Sequence, residues 1–480
     1  MTTIQLPKDF FLGVATAAAQ VEGAAFEDGK GPSIWDTMCR EEGRIDDSSN
    51  IDVACDHYHR VDEDVQLISS LGVSTYRFSI SWARVMPDGR SVNQKGLEFY
   101  AALLDKLNAA GIQPWVTLYH WDLPQALQDE GGWANRQTAS LFAEYARVVY
   151  SALGERANVW TTLNEPWCAS FLSYVCGEHA PGHTSPDEGV AAAHHLLLAH
   201  GLATAQIRRL ARQKGLHPKV GITLNFSWAH PANPDSAADR DAARRVNGAQ
   251  NRIFADPLFL GAYPPDVVAD MALEADIMKY VREGDLQIIS APIDVLGINF
   301  YNGSQVAAPS EGYKPASPQR NARGVLGRSP IVGSASVVPV ARHTPHTAMG
   351  WEVKASDLYE LLVWLNSEYA RPFDTEMVIT ENGAAFDDVP DRTGYVDDSK
   401  DRLVYLRDHL AAALRARSEG VNLKGYLVWS LLDNFEWARG YTKRFGIVRV
   451  DYGTMQRVPK ASAHWLAKVA ANRNFEAPEP

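Results

Sequence analysis

Met377-Val-Ile-Thr-Glu-Asn-Gly383 is the stretch whose reading decides the fold. Met377, Val378 and Ile379 form an apolar run suited to a strand buried on both faces. Asn382-Gly383 signals a turn, because both residues tolerate positive φ. Between them stands Glu381, a carboxylate at the carboxyl end of a buried strand, which is where a (β/α)8 barrel places its reactive groups. Taken alone, the stretch also reads as a strand followed by a solvated acidic turn. A second stretch of the same design, Asn158-Val-Trp-Thr-Thr-Leu-Asn-Glu-Pro166, favours the first reading: an apolar strand again ends in Asn and Glu, and Pro166 stops it. Two carboxylates at two strand ends, Glu165 and Glu381, suggest a paired acid/base site.

Working outward, further strands are expected at about 11–15, 73–79, 112–118, 219–224, 293–299 and 424–429, besides 158–163 and 376–380. Helical periods fall between them, at about 94–110, 137–153, 187–214, 356–369, 399–418 and 459–471. A further helix, opened by Asp56 as N-cap, ends at Gly72. Strict alternation implies a parallel sheet, and eight such units imply a closed barrel. The fold expected is α/β, a single-domain (β/α)8 TIM barrel spanning 1–480 with long loop insertions. An open doubly wound sheet would carry a Gly-rich nucleotide turn after its first strand. Gly29-Lys30-Gly31-Pro32 has the wrong glycine spacing for a phosphate loop, and no Ser or Thr follows Lys30. Residues 302–348, rich in Ser, Gly, Pro and Val without a helical period, read as a structured insertion or functional loop.

The net charge of −12 argues against nucleic-acid or anionic-membrane partners, which need basic patches. Cys39, Cys55, Cys168 and Cys176 follow no CxxC pattern and read as reduced thiols. His57 and His59 stand at i and i+2, which on a helix do not share a face, so they make a poor metal pair; no metal site is expected. Met1 to Phe10 has no signal-peptide pattern and no 18-residue apolar run exists, so the expected location is cytoplasmic. Asn225-Phe-Ser and Asn302-Gly-Ser match the glycosylation sequon but are discounted for want of a secretion signal. The chain has 13 Trp, several beside polar strand ends, and aromatic faces next to polar groups suit sugar rings.

Cleaving a glycosidic bond requires protonating a poor leaving group and stabilising an oxocarbenium-like carbon, and two carboxyl groups can do both. Here the chain resembles glycoside hydrolase family 1, the β-glucosidase and β-galactosidase group, over roughly residues 10–465. The motifs are Phe11-Leu-Gly-Val-Ala-Thr-Ala-Ala-Ala-Gln-Val-Glu-Gly23, Tyr119-His-Trp-Asp-Leu-Pro-Gln-Ala-Leu127, Thr162-Leu-Asn-Glu-Pro166, Asn299-Phe-Tyr301, Ile379-Thr-Glu-Asn-Gly383 and Asn434-Phe-Glu-Trp437. Each is weak alone; all of them in the family's order are specific.

The resemblance implies a retaining β-glycosidase with Glu381 as nucleophile and Glu165 as general acid and then base. It implies that Asn164 bonds the sugar 2-hydroxyl, that Gln20, His120, Trp121, Glu436 and Trp437 hold the remaining hydroxyls, and that Trp429 lies under the ring. Asn299 counts with the substrate-binding residues, and Tyr301 and Arg77 match neighbours that orient Glu381 and keep it ionised. The substrates implied are small β-glucosides and cello-oligosaccharides, with galactosides or fucosides alongside, no cofactor, and a homo-oligomer left open. One branch of the family takes 6-phosphorylated glycosides, with Ser-Trp, then Lys, then Tyr at the positions of Glu436, Lys443 and Phe445; this chain keeps Lys443 but has Glu436 and Phe445. Ala19 also stands where an aromatic residue is common. The alternatives to a glucosidase are a 6-phospho-β-glucosidase and a non-catalytic sugar-binding barrel.

Overall fold

A computed structural model of the protein describes residues 2–310, 329–334 and 336–478. Eight parallel strands close into a barrel. In chain order they are β1 (Phe11–Ala15), β2 (Thr75–Ser79), β3 (Gln113–Tyr119), β4 (Val159–Asn164), β5 (Lys219–Phe226), β6 (Val295–Phe300), β7 (Glu376–Asn382) and β8 (Leu423–Trp429). Each strand pairs with its successor, and β8 returns to β1 with Gly425 opposite Phe11 and Trp429 opposite Ala15. The outer layer includes α1 (Val61–Ser70), α2 (Gln94–Ala109), α3 (Gln137–Leu153) and α4 (Pro186–Lys214), one after each of the first four strands. It continues with α5 (Ile253–Leu260), α6 (Ala355–Leu365), α7 (Arg402–Ser418) and α8 (Ala461–Asn472). Thr2–Gln5 and Asn474–Ala477 pair antiparallel and tie the two ends of the chain together.

The strands are continuous apolar or small-polar runs because both faces are covered, one by helices and one by the barrel interior. Along each strand the interior changes character. Trp115, Val159, Val295 and Val378, from the first halves of their strands, form an apolar plug with Leu427. Further along, Arg77, Asn164, Asn299 and Glu381 are buried together. The plug leaves the carboxyl ends of the strands as the place where polar groups meet a cavity, as in other barrels of this type.

The expected strands and helices are all found, with ends displaced by a few residues. Two expectations change. Asp56 does not cap a helix: α1 begins at Val61, and Asp56 sits at φ 55° with its carboxylate on His59 Nδ1 (2.6 Å) and Arg60 Nε (3.1 Å). A short acidic side chain that bonds its local neighbours competes with helix start, and here the turn wins. The helix expected over 356–369 stops at Leu365 and widens into a π-helical turn, Asn366–Ala370. His57 turns to Asp64 (2.7 Å), which Arg457 also holds, so it belongs to a buried structural ion group. Of the 302–348 stretch, the described parts include a strand, Ser304–Ala307, paired with Val338–Pro339; residues 311–328 and 335 lie outside the described residues.

Gly383 shows how tightly β7 and β8 close. A Cβ at this position would lie 1.7 Å from the Trp429 carbonyl oxygen, a backbone atom that cannot swing away. Gly383→Ala should therefore destabilise the fold by about 1–3 kcal/mol, the usual range for overpacking. Denaturant unfolding of the variant measures this, and wild-type stability would contradict the close approach.

Candidate active site

A cavity of about 420 Å³ opens at the carboxyl ends of the strands. Of the residues singled out in the sequence, His120, Trp121, Glu165, Tyr301, Glu381, Trp429, Glu436 and Trp437 line it. Gln20, Arg77, Asn164 and Asn299 do not: they are buried behind the wall, where Arg77, Asn164 and Asn299 bond residues that line it. Glu165 follows the last residue of β4, and Glu381 is the sixth residue of β7. Glu165 adopts φ 47°, and Trp121 and Trp437 also have positive φ, at 75° and 49°. Left-handed backbone at non-glycine residues costs about 1–3 kcal/mol each and persists where surrounding structure over-determines it. For Glu165 that structure includes its own N–H, donated to the Thr223 carbonyl of β5 at 2.9 Å, and Pro166 behind it.

One network joins the two carboxylates. Arg77 donates to Glu381 Oε1 (2.5 Å), to Asn164 Oδ1 (2.6 Å) and to Thr117 Oγ1 (3.1 Å). Tyr301 donates its hydroxyl to Glu381 Oε2 (2.5 Å). Asn299 Nδ2 donates to Glu165 Oε1 (2.6 Å), and its own carbonyl accepts from Thr380 (2.8 Å), which fixes the amide's orientation. Asn164 Nδ2 lies 3.0 Å from His120 Nε2. Since an amide nitrogen can only donate, His120 carries its proton on Nδ1, which has no partner among the described residues. Burial, with help from the Arg77 charge, holds His120 well below its ordinary range, so the ring is neutral.

The two carboxyls are electrically unequal. Burial first, and then the charge on Glu381, push Glu165 up to about 8. Burial raises Glu381 as well, but Arg77 and the Tyr301 hydroxyl pull it back. No cation touches Glu165 among its described partners, so the pair holds its negative charge on Glu381 and its proton on Glu165. Glu436 is pushed up to about 8, by burial and then by the charges of Glu381 and Glu165.

The structure changes the expected role of Trp121: its indole N–H is donated to the Asn164 carbonyl (3.0 Å), so it offers the cavity a ring and not a donor. Asn164 likewise engages its side chain with Arg77, Asn299 and His120. Gln20 donates to Asn434 (3.1 Å) and to the Phe435 carbonyl (2.7 Å), leaving its Oε1 without a partner among the described residues. Sequence reasoning missed Cys168, whose thiol donates to Glu165 Oε2 at 2.9 Å; its signal is the three-residue spacing from Glu165. It also missed Trp167, Trp351 and Gln250 in the cavity wall, and met Asn225 only as part of a sequon. Trp351 and Gln250 stand in connections with no motif of their own.

The family model described as glycosyl hydrolase family 1 matches residues 2–475. A protein named β-glucosidase A from Acetivibrio thermocellus is 43% identical over 476 residues, covering 99% of this chain and all of the relative. A bifunctional β-D-glucosidase/β-D-fucosidase from Bifidobacterium breve is also 43% identical, over 98% of this chain and 99% of its own. Among solved structures, a psychrophilic β-glucosidase from Micrococcus antarcticus superposes with a TM-score of 0.91 at 48% identity, covering 98% of both chains.

The unequal pair makes a direct prediction. Because the charge on Glu381 raises Glu165, Glu381→Gln should move the Glu165 titration to lower pH from its starting point near 8. Carbon-13 NMR of labelled glutamate side chains reads this, and an unmoved or raised midpoint would contradict the coupling.

Proposed function

The chain belongs to glycosyl hydrolase family 1, and from that premise we propose that it hydrolyses terminal, non-reducing β-D-glucosides with retention of configuration. The observation that carries this reading is the asymmetry of the carboxyl pair at the ends of β4 and β7: Arg77 and Tyr301 donate to Glu381, which favours its anion, while burial and the Glu381 charge push Glu165 up to about 8. Glu381 attacks the anomeric carbon as the bond to the leaving oxygen breaks, and Glu165 gives that oxygen its proton. With Glu381 esterified, its charge is gone, and Glu165 becomes a stronger acid, ionised and ready to take a proton from the incoming water. Water then displaces Glu381 from the opposite face, and two inversions give net retention.

The cavity wall supports a polyhydroxylated substrate. Gln20 Oε1, His120 Nδ1 and Glu436 Oε2 are buried without partners among the described residues, and buried polar groups are ordinarily satisfied. Ligand hydroxyls would satisfy them, through the wall residues His120 and Glu436 and at the deeper Gln20. Trp429 and Trp437 flank His120 at ring-centroid distances of 5.7 and 5.9 Å and offer apolar faces to the C–H side of a sugar. The fucosidase activity in the name of the Bifidobacterium relative supports a glycone preference that extends to β-fucosides. We place the whole of residues 1–480 in one catalytic domain. Among the described residues no helix is long and apolar enough to cross a membrane.

Two variants test the roles. Glu381→Gly should abolish hydrolysis, and added azide should restore cleavage of an activated glucoside with inversion, read from the anomer of the glycosyl azide. Glu165→Ala should slow cleavage of poor leaving groups by about 10²–10⁴-fold while sparing dinitrophenyl glucosides in the glycosylation burst. Normal turnover in the first, or equal loss across leaving groups in the second, would overturn the assignment.

Selectivity at the 6-position follows from charge. A 6-phosphate brings a charge of about −1.5 to −2 at neutral pH into a cavity that already holds the Glu381 anion beside the buried carboxyls of Glu165 and Glu436. Lys443 is not among the lining residues, and Phe445, which is, has no hydroxyl to give. Nitrophenyl β-glucoside should exceed its 6-phosphate in kcat/KM by more than about tenfold, the effect of roughly 1.4 kcal/mol. A preference for the phosphate would reverse this reading.

A further inference from the structure

Cys168 opens the π-helical segment Cys168–Val175 that follows β4, three residues after Glu165. It is buried, lines the same cavity, and donates its S–H to Glu165 Oε2 at 2.9 Å. The other oxygen, Oε1, accepts from the Asn299 amide at 2.6 Å. These two bonds divide the carboxyl. An amide N–H cannot accept a proton, so Oε1 is kept as an acceptor, and the proton that Glu165 must carry belongs on Oε2. A thiol is a weak donor and a weak acceptor, so it can bond the anion without competing strongly for the proton.

We propose that Cys168 is a positioning residue for the acid/base step: its S–H holds Oε2 of the ionised Glu165 and yields that oxygen when the proton returns. The proposal rests on Glu165 being the acid and base. No bond to sulfur forms or breaks. In glycosylation the proton passes from Oε2 to the leaving oxygen, and the S–H···Oε2 bond strengthens on the carboxylate left behind. In deglycosylation water gives a proton to Oε2 and the bond weakens again. Burial and the neighbouring carboxyls keep the thiol itself protonated throughout, so it remains a donor.

Among the described residues, the charged and titratable groups around Glu165 and Cys168 include Glu381 on β7, Glu436 after β8, Arg77 on β2, His120 after β3, Tyr301 after β6, and His179 and Cys176 after β4. Further along the wall Arg439 and Glu178 are paired with each other. Glu381 opposes ionisation of Glu165 and Arg77 favours it; Cys168 is the partner that acts on Oε2 directly. A donor to the charged form lowers a carboxyl pKa, so losing the donor should raise it and strengthening the donor should lower it.

The test is the alkaline limb of kcat/KM against pH for phenyl β-glucoside, in wild type, Cys168→Ala, Cys168→Ser and Glu165→Ala. Cys168→Ala should move the limb up by about half to one pH unit, the effect of one ordinary hydrogen bond. Cys168→Ser, with a stronger donor, should move it down. A packing role would not give opposite shifts. A limb that stays put or rises in Cys168→Ser overturns the proposal, and this variant decides even if the alanine protein does not fold. The Glu165→Ala profile separates the two readings. If its limb disappears while Cys168→Ser is unmoved, the role of Cys168 fails alone; if its limb persists, the acid/base assignment fails with it.

Discussion

One guanidinium among three buried carboxyls sets the chemistry of the cavity. Glu165, Glu381 and Glu436 all line it, and burial penalises the ionised form of each. Arg77 reaches one of them, Glu381, at 2.5 Å, while Arg439 is directed away to Asp46 and Glu178. A buried charge without a partner is costly, and removing one partner of a buried pair leaves the other uncompensated. The position of Arg77 on β2 therefore selects which carboxylate bears the charge, and the remaining two stay protonated more readily. On the proposed reading, nucleophile and acid differ in which of them the cation touches, not in side-chain type.

The barrel makes this selection durable. Arg77, Asn164, Asn299 and Glu381 come from β2, β4, β6 and β7, and parallel pairing fixes each relative to its neighbours. Arg77 stands opposite Trp115 of β3, and Glu381 opposite Asn299 of β6. The apolar plug beneath them gives these groups a low-polarity floor, which strengthens each charged hydrogen bond above it. Left-handed backbone at Trp121, Glu165 and Trp437 then aims side chains that a regular strand ending would point elsewhere.

Much of this was legible in the sequence, for a local reason. Strands buried on both faces read as apolar runs, and the polar residue that ends each run marks the cavity side, so Glu165, His120 and Glu381 could be placed from neighbouring residues alone. The resemblance to a known family added Arg77, Tyr301 and Glu436. What was not legible depends on contacts between distant segments. Whether Trp121 gives its N–H to a ligand or to the Asn164 carbonyl is settled across 43 residues of sequence, and Arg77 meets Glu381 across 304. Gln20, Asn164 and Asn299 carry the right chemistry, yet their placement behind the wall is a fact of packing. Asp56 failed as a helix cap because a turn that bonds His59 and Arg60 outcompeted it. Cys168 reads in the sequence as a reduced thiol, and its three-residue spacing from Glu165 gains meaning only once the π-helical turn brings the thiol onto that carboxyl.

The central claim is that Glu381, held ionised by Arg77, forms a covalent bond to the sugar while Glu165 manages the proton. The most direct measurement is to incubate the protein with dinitrophenyl 2-deoxy-2-fluoro-β-glucoside, which slows release of the intermediate, and to digest and sequence the labelled peptide by mass spectrometry. The account predicts one fluoroglucosyl group per chain, attached to Glu381. A label on another residue, or hydrolysis of this substrate with no covalent adduct, would contradict it.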